Sequence, residues 1–184
     1  MSKKIDEDRI MGVFFKEPYK EFHLRQLGRI MKYNPSTLSK YLDNYYKNKL
    51  IVKEKERGYI IYKADIDSEM FKLRKVWYNL ERIRKSGIIE FIENSLNYPR
   101  AIILFGSYSK GENTKESDLD LFVLSEDKKD LNLAKFEKIL KNNVHLIVYN
   151  KMEFKQMKNK NKELLNNIIN GVTLSGYLEV YFLN

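Results

Sequence analysis

Residues 102–123 decide the fold, and they read Ile102-Ile-Leu-Phe-Gly106-Ser107-Tyr-Ser-Lys-Gly111-Glu-Asn-Thr-Lys-Glu-Ser117-Asp118-Leu-Asp120-Leu-Phe-Val123. The short apolar run before Gly106 predicts a buried strand. Gly106 and Ser107 end that run, and the polar stretch up to Ser117 predicts a loop or a helical turn. The next apolar run predicts a second strand that starts at Asp118. Two strands joined by a glycine-bearing polar loop are therefore the centre of the predicted fold.

Asp118 and Asp120 are two positions apart in the predicted second strand. Residues at i and i+2 of a strand point the same way, so the two carboxylates project from one face, about 7 Å apart along the chain. Paired carboxylates supply the oxygen ligands that hard cations such as Mg²⁺ prefer. At the end of the first strand, Gly106 lets the backbone approach a ligand closely, and Ser107 adds a hydroxyl and an N–H donor. The pattern predicts phosphate donors on one side of a site and metal-binding carboxylates on the other.

The pattern G-S-x3-G-x5-S-D-x-D between two apolar strands resembles the nucleotidyltransferase superfamily that includes DNA polymerase β, and most closely its short, minimal members. The resemblance covers about residues 86–180. It implies an α+β domain with a mixed β-sheet flanked by helices, and transfer of a nucleotidyl group from a nucleoside triphosphate to an acceptor. It also implies Mg²⁺ or Mn²⁺ as cofactor, with two metal ions clamping the attacking and leaving oxygens. By the same resemblance, Asp118 and Asp120 are metal ligands and catalytic residues, and the nucleotide-binding residues are Gly106, Ser107, Gly111 and Ser117.

A third carboxylate, which active members of this family commonly carry on the next strand, is missing from the matching stretch. That stretch reads Asn143-Val-His-Leu-Ile-Val-Tyr149, with His145 where the acid is expected. Imidazole accepts a proton near neutral pH, but it is a poorer Mg²⁺ ligand than carboxylate because hard cations prefer oxygen. Three alternatives stay open: His145 acts as the catalytic base, a carboxylate such as Glu90 or Glu93 enters from elsewhere, or catalysis is lost.

Residues 1–66 predict three short helices followed by a β-hairpin. Asn34 and Pro35 are a strong start for the third helix, with Asn34 as N-cap and proline at the first helical position. This order resembles a winged helix-turn-helix domain, whose third helix would enter the major groove of DNA. The resemblance implies a nucleic acid partner and contacts to bases or phosphates from Ser36, Thr37, Ser39, Lys40, Asn44 and Arg57.

Residues 67–85 predict one long amphipathic helix between the two domains. Its apolar positions recur at helical spacing on one face and are Met70, Leu73, Val76, Trp77, Leu80 and Ile83. Two interpretations stay open: this face packs against the chain's own domains, or it forms a rigid connector or the seam of a homodimer. The predicted organisation is a winged helix-turn-helix domain over 1–66, a linker helix over 67–85 and a nucleotidyltransferase-like domain over 86–184.

Composition excludes several other classes of protein. The chain has 184 residues, 43% of them hydrophobic and none of them cysteine, which predicts a folded protein without disulfides or thiolate metal sites. No apolar run has the length of a transmembrane helix, and the first residues lack the apolar segment of a secretory signal, so we expect a cytoplasmic protein without membrane association. The net charge is +9, and residues 1–66 carry 15 basic against 9 acidic side chains, which favours contact with a polyanion.

Two functions therefore compete at the level of sequence. The first is a Mg²⁺-dependent nucleotidyltransferase whose winged helix holds a nucleic acid or another partner. The second is a DNA-binding transcriptional regulator whose transferase-like domain is catalytically inactive and only senses a nucleotide or mediates association. The intact pair Asp118 and Asp120 favours the enzyme, whereas the missing acid on the 143–149 strand favours the regulator.

Overall fold

The computed structural model describes residues 7–56 and 58–179. These residues fall into two compact units, which divide between Tyr78 and Asn79, and one long helix spans the division. Among the helices of the described residues, none is both long enough and apolar enough to cross a membrane.

The N-terminal unit combines three helices with a small antiparallel sheet. Its elements in chain order are α1 (Glu7–Lys16), β1 (Phe22–His23), α2 (Leu24–Met31), α3 (Pro35–Lys47), β2 (Ile51–Glu56) and β3 (Tyr59–Ala64). Strand β3 lies between β1 and β2 and is antiparallel to both. Helix α3 begins where its sequence predicts, because the side-chain oxygen of Asn34 accepts the N–H of Ser36 at 3.0 Å.

A core of aromatic and aliphatic side chains holds this unit together. Phe14 of α1 meets Phe22 of β1 edge-on, with ring centroids 5.5 Å apart. Leu38 and Leu42 on the inner face of α3 are fully buried. Each such side chain contributes about 1.5–3 kcal/mol through removal of apolar surface from water. Their packing fixes the orientation of α3 within the unit and leaves its polar face to solvent.

Helix α4 (Glu69–Ser86) does not bury all of the face that its apolar spacing predicts. Met70, Leu73 and Trp77 are each more than half exposed. These three side chains therefore lie outside the buried part of the predicted face, to which Ile83 belongs. The positions that α4 buries include three polar residues and are Phe71, Lys75, Asn79, Ile83 and Ser86.

The C-terminal unit is built on a four-stranded mixed sheet. Its further elements in chain order are α5 (Ile88–Ser95), β4 (Ala101–Phe105), α6 (Gly106–Lys110), β5 (Leu119–Leu124), α7 (Ala134–Leu140), β6 (Val144–Tyr149), α8 (Lys151–Lys160), α9 (Lys162–Ile169) and β7 (Val172–Gly176). The order across the sheet is β6-β5-β4-β7. Strand β4 is antiparallel to both of its neighbours, whereas β5 and β6 run parallel.

Helices pack against both faces of this sheet. Successive strand residues point to opposite faces, so Leu121 and its neighbour Phe122 enter different apolar clusters. Leu121 belongs to a cluster that includes Ile92 of α5, and Phe122 to one that includes Phe154 of α8. The predicted α+β class, with helices flanking a mixed sheet, is confirmed for this unit.

Candidate active site

Three strands bring their ends together at one end of the C-terminal sheet. Strand β4 ends at Phe105, which pairs with Asp120 near the start of the antiparallel strand β5. Strand β6 runs parallel to β5, and its second residue, His145, pairs with Asp120 on the other side. The glycine-bearing loop that follows β4 and the starts of β5 and β6 therefore meet in one place.

The two predicted metal ligands lie at the start of β5. The strand begins at Leu119, one residue later than predicted, so Asp118 directly precedes it and is exposed. Asp120 lies within the strand, with 25% of its side-chain surface accessible. Both carboxylates therefore keep surface that a ligand in solution can reach.

Gly106 packs directly against the carboxylate of Asp120. Its φ is +69°, and a Cβ atom added there would lie 3.2 Å from Asp120 Cγ and closer still to Oδ2. The left-handed backbone and the close contact both favour glycine at this position. Helix α6 ends at Lys110 and is capped by Gly111, whose φ is +70° and whose N–H donates to Ser107 O. The two glycines of the motif thus bound a compact turn beside Asp120.

The two serines predicted to bind nucleotide lie at opposite ends of this loop. Ser117 Oγ accepts the N–H of Thr114 at 2.9 Å, and the N–H of Ser117 donates to Thr114 O at 3.3 Å. These bonds close the turn that precedes Asp118. Ser107 is half-buried, and its carbonyl accepts the N–H of Glu112 at 3.0 Å. Both serines thus order the loop through hydrogen bonds of their own.

His145 lies next to one of the carboxylates, whereas Glu93 does not. His145 Nδ1 is 3.1 Å from Asp120 Oδ1, and the His145 side chain is 60% exposed. Glu93 contacts the hydroxyl of Ser175, which pairs with Ile102, three residues before the end of β4. Glu93 therefore lies roughly 10 Å along the strand from the site. Glu90, one turn earlier in α5, is exposed.

Within residues 7–56 and 58–179, no group of three or more His, Asp or Glu side chains is arranged to bind a metal ion. Asp118 and Asp120 still fit the chemistry of Mg²⁺, because this ion keeps several waters and is usually held by one or two carboxylates together with substrate phosphates. Asn143 Nδ2 donates to Asp118 Oδ1 at 3.1 Å. His145 Nδ1 lies at the same distance from Asp120 Oδ1. Each carboxylate thus has one oxygen in contact with a side chain from the start of β6 or just before it.

The comparison with known families decides what kind of domain carries this site. Residues 85–169 match the family model described as nucleotidyltransferase domain. These residues, slightly less than half of the chain, are therefore similar to a nucleotidyltransferase domain. The match contains the whole motif from Gly106 to Asp120 and the strand that carries His145, so the predicted domain type is confirmed over these residues.

One curated relative adds a more specific similarity. The protein adenylyltransferase MntA of Shewanella oneidensis is 34% identical to this chain over 58 residues, which are 32% of this chain and 41% of that protein. The chain thus matches about two fifths of the length of that relative. No solved structure gives a significant match.

A cleft of about 790 Å³ opens along the outer edge of β6 in the C-terminal unit. His145 lines it together with Val144, Leu146, Val148 and residues 128–134. A second cleft, of about 470 Å³, lies at the opposite end of the sheet around Arg100 and Leu124. Only the first of these two clefts includes a residue of the candidate site.

Buried asparagines near the site were not predicted from the sequence. Asn79 of α4 donates from Nδ2 to Tyr108 O at 3.1 Å and to Asn113 Oδ1 at 2.8 Å, and both asparagine side chains are buried. Buried amides are tolerated where their hydrogen bonds are satisfied, as they are here. These contacts tie the loop between β4 and β5 to the helix. No spacing pattern in the sequence marks a single buried asparagine.

Five of the six residues predicted to contact nucleic acid lie on α3. Those that the structure places on the exposed side of α3 are Ser36, Thr37, Lys40 and Asn44. Ser39 is half-buried. Arg57 lies outside the described residues. The exposed side of α3 is therefore polar and carries the positive charge of Lys40.

Proposed function

We propose that this protein binds a nucleoside triphosphate with Mg²⁺ or Mn²⁺ and transfers its nucleotidyl group to an acceptor. A nucleotidyltransferase-like function is supported by the domain at residues 85–169. The observation that carries the finer proposal is the placement of Asp118 and Asp120 at the start of β5, with Gly106 packed on the Asp120 carboxylate. Triphosphate oxygens could approach the backbone at Gly106 and Ser107 while facing the two carboxylates.

Each residue of the site has a proposed role. Asp118 and Asp120 would hold the metal ion, which when bound neutralises charge on the attacking and leaving oxygens. A His145 that donates its Nδ1–H to Asp120 Oδ1 presents the Nε2 lone pair. Nε2 would accept the proton of an acceptor hydroxyl while that oxygen forms a bond to the α-phosphorus. The bond from the α-phosphorus to the bridging oxygen breaks, and pyrophosphate leaves.

The adenylyl group and a protein acceptor are the first candidates for what is transferred and to what. The reason is the similarity of 58 residues to a protein adenylyltransferase. The cleft beside His145 supports this choice, since it offers a segment of an acceptor room next to the proposed base.

Labelling experiments test the proposal directly. The protein is incubated with each nucleoside triphosphate labelled at the α-phosphate, with Mg²⁺ or Mn²⁺, and with protein or nucleic acid acceptors. We expect label from ATP to appear on protein only when the metal ion is present. A double variant with Asp118→Asn and Asp120→Asn, which retains side-chain size, should not transfer label. Absence of metal-dependent transfer from every nucleotide would argue against the enzyme.

A DNA-binding regulator is the second candidate function. The N-terminal unit favours it, because its element order and its β1-β3-β2 sheet resemble a winged helix-turn-helix domain. The exposed polar side of α3 is the proposed contact surface for DNA. The lack of an acidic residue on β6 favours it too, since the transferase domain would then sense a nucleotide without turning it over.

We also propose that two copies of the chain associate through α4. Met70, Leu73 and Trp77 recur at i, i+3 and i+7, which places them on one side of the helix, and all three are exposed. A contiguous exposed apolar stripe is typical of an interaction surface. A second copy would remove these side chains from water.

A further inference from the structure

The loop that positions Asp118 has no regular secondary structure of its own. Residues 112–118 lie between α6 and β5. The Thr114–Ser117 hydrogen bonds close this segment on itself, but they do not attach it to the sheet. The position of the Asp118 carboxylate therefore depends on contacts from elsewhere in the domain.

Asn142 supplies two of these contacts from the segment just before β6. Its Nδ2 lies 3.0 Å from Lys115 O and 3.0 Å from Ser117 O, and it donates to both. The two carbonyls lie on either side of Glu116, within the last turn before Asp118. One carboxamide thus fixes the turn at two points.

The next residue, Asn143, continues the same attachment. Its carbonyl accepts the N–H of Leu119 at 2.8 Å, and its side chain donates to Asp118 Oδ1 at 3.1 Å. Residues 115–119 are therefore joined to residues 142 and 143 by four hydrogen bonds. Asp118 lies within this set of contacts.

The segment that carries both asparagines is itself held in place. Lys141 ends α7 in the left-handed conformation, with φ +59°, and its N–H donates to Glu137 O at 2.7 Å. Glu137 Oε1 accepts the N–H of Val144 at 3.1 Å. Asn142 and Asn143 are thus attached through Glu137 on both sides, which makes them a firm support for the loop.

We infer that Asn142 is a positioning residue for the candidate active site, an inference that rests on the proposed function. Asn142 does not touch a carboxylate; it holds the turn from which Asp118 projects. Side chains that orient a metal ligand typically change metal affinity or activity by about 10- to 100-fold when they are replaced. We expect removal of the two N–H groups of Asn142 to weaken metal-dependent binding by the same factor.

The test uses the full-length protein and measures ATP binding by calorimetry, with Mg²⁺, with Mn²⁺ and without metal. Asn142→Leu removes both donors and keeps the number of side-chain heavy atoms, Asn142→Ala removes them with a smaller side chain, and Asn142→Gln retains the carboxamide. Asn150, which follows β6 and caps α8 by accepting the N–H of Glu153 at 2.9 Å, provides the control Asn150→Ala. That variant should lower the melting temperature through loss of a helix cap.

Asn142→Leu and Asn142→Ala should weaken metal-dependent ATP binding by about 10- to 100-fold. Binding without metal should not change, Asn142→Gln should restore part of the affinity, and Asn150→Ala should bind as the unmodified protein does. Unchanged metal-dependent binding in both donor-deleting variants would overturn the inference alone. An equal loss in Asn150→Ala would also overturn it, since the effect would then be one of general stability. No metal-dependent binding by the unmodified protein would overturn the proposed function itself.

Discussion

Gly106 contacts the carboxylate of Asp120 across the pair of strands β4 and β5. The contact arises because Gly106 follows Phe105, and Phe105 pairs with Asp120. An alanine Cβ at position 106 would lie 3.2 Å from Asp120 Cγ. Asp120 would have to move to accommodate it. Glycine at position 106 is therefore needed for the position of the Asp120 carboxylate as well as for the left-handed backbone of the turn.

Gly106→Ala is therefore expected to weaken metal-dependent ATP binding by about ten-fold or more, because it displaces a proposed ligand carboxylate. Gly87→Ala is the matched control, since Gly87 also has a positive φ, +78°, but nothing lies within 4 Å of an added Cβ. Both variants should lose about 1–2 kcal/mol of stability through left-handed strain. Calorimetric titration with ATP and Mg²⁺ distinguishes them, and equal affinities in the two variants would contradict the proposed role of the contact.

His145 decides between the enzyme and the regulator. If it serves as the base, His145→Ala should reduce the rate of nucleotidyl transfer by about 10²–10⁴-fold, the usual contribution of a positioned acid–base group. His23→Ala changes the other histidine of the chain, in the N-terminal unit, and should leave the rate unchanged. If the site binds triphosphate without turnover, His145→Asp should raise metal affinity by restoring an oxygen ligand. No effect of His145→Ala on either metal binding or turnover would rule out both roles.

The central stretch of the fold could be predicted because its signals are local. The two apolar runs and the glycines at 106 and 111 lie within about twenty residues, and each signal reports on its own backbone conformation. The structure places β4 and β5 there, with β5 starting one residue later than predicted. The match over residues 85–169 agrees with the family resemblance drawn from the same residues.

The contacts that hold the site together could not be predicted, because they join residues distant in sequence. Asn79 reaches Tyr108 over 29 positions, and Asn142 reaches Ser117 over 25. A single asparagine has no periodicity that would reveal such a partner. Part of the buried face of α4 does not follow the apolar pattern for a related reason: Asn79 is buried through hydrogen bonds, whereas Trp77 remains exposed. Apolar spacing alone predicts that Trp77 is buried and Asn79 exposed, which is the reverse of what the structure has.

Binding of duplex DNA should fall linearly with salt concentration on a logarithmic plot, because phosphate contacts release counterions. If Lys40 on the exposed side of α3 contacts a phosphate, Lys40→Ala should reduce the slope by about one unit. Lys160→Ala, which removes the same charge from α8, should have no such effect. Fluorescence anisotropy of labelled duplexes with the full-length protein measures both. Undetectable binding at low salt would remove the support for the DNA-binding regulator.

Association through α4 should be visible in the fluorescence of Trp77, the single tryptophan of the chain. Trp77 is 66% exposed in the single chain, so its emission should shift to shorter wavelength on dimerisation. Trp77→Lys should convert a dimer to a monomer in size-exclusion chromatography with light scattering. Met152→Lys changes a similarly exposed apolar residue on α8 and should leave the mass unchanged. A monomeric unmodified protein at all accessible concentrations would exclude this association.

Lys75 should make the stability of the protein rise with pH in the alkaline range. The side chain is 1% exposed, and burial lowers the pKa of its ammonium group from 10.5 to about 8. Between about pH 8 and pH 10.5 the unfolded chain therefore binds more protons at Lys75 than the folded protein does. The free energy of unfolding consequently increases with pH across this window, and the unfavourable burial of the charge is fully present below pH 8.

Lys75→Met is accordingly expected to raise the free energy of unfolding at pH 7 by about 1–3 kcal/mol, since each pKa unit corresponds to about 1.4 kcal/mol. The proximity of the ammonium group to the Phe71 ring, 5.9 Å from its centroid, offsets part of the desolvation and keeps the gain below the full value. Lys85→Met, at an exposed position of the same helix, provides the control and should change neither stability nor its pH dependence by a comparable amount. Urea titrations at pH 7, 8, 9 and 10 measure the difference between the two variants and the unmodified protein. A Lys75→Met variant that keeps the same rise with pH would show that another group causes the rise, and a variant that is less stable at pH 7 would contradict the expected gain.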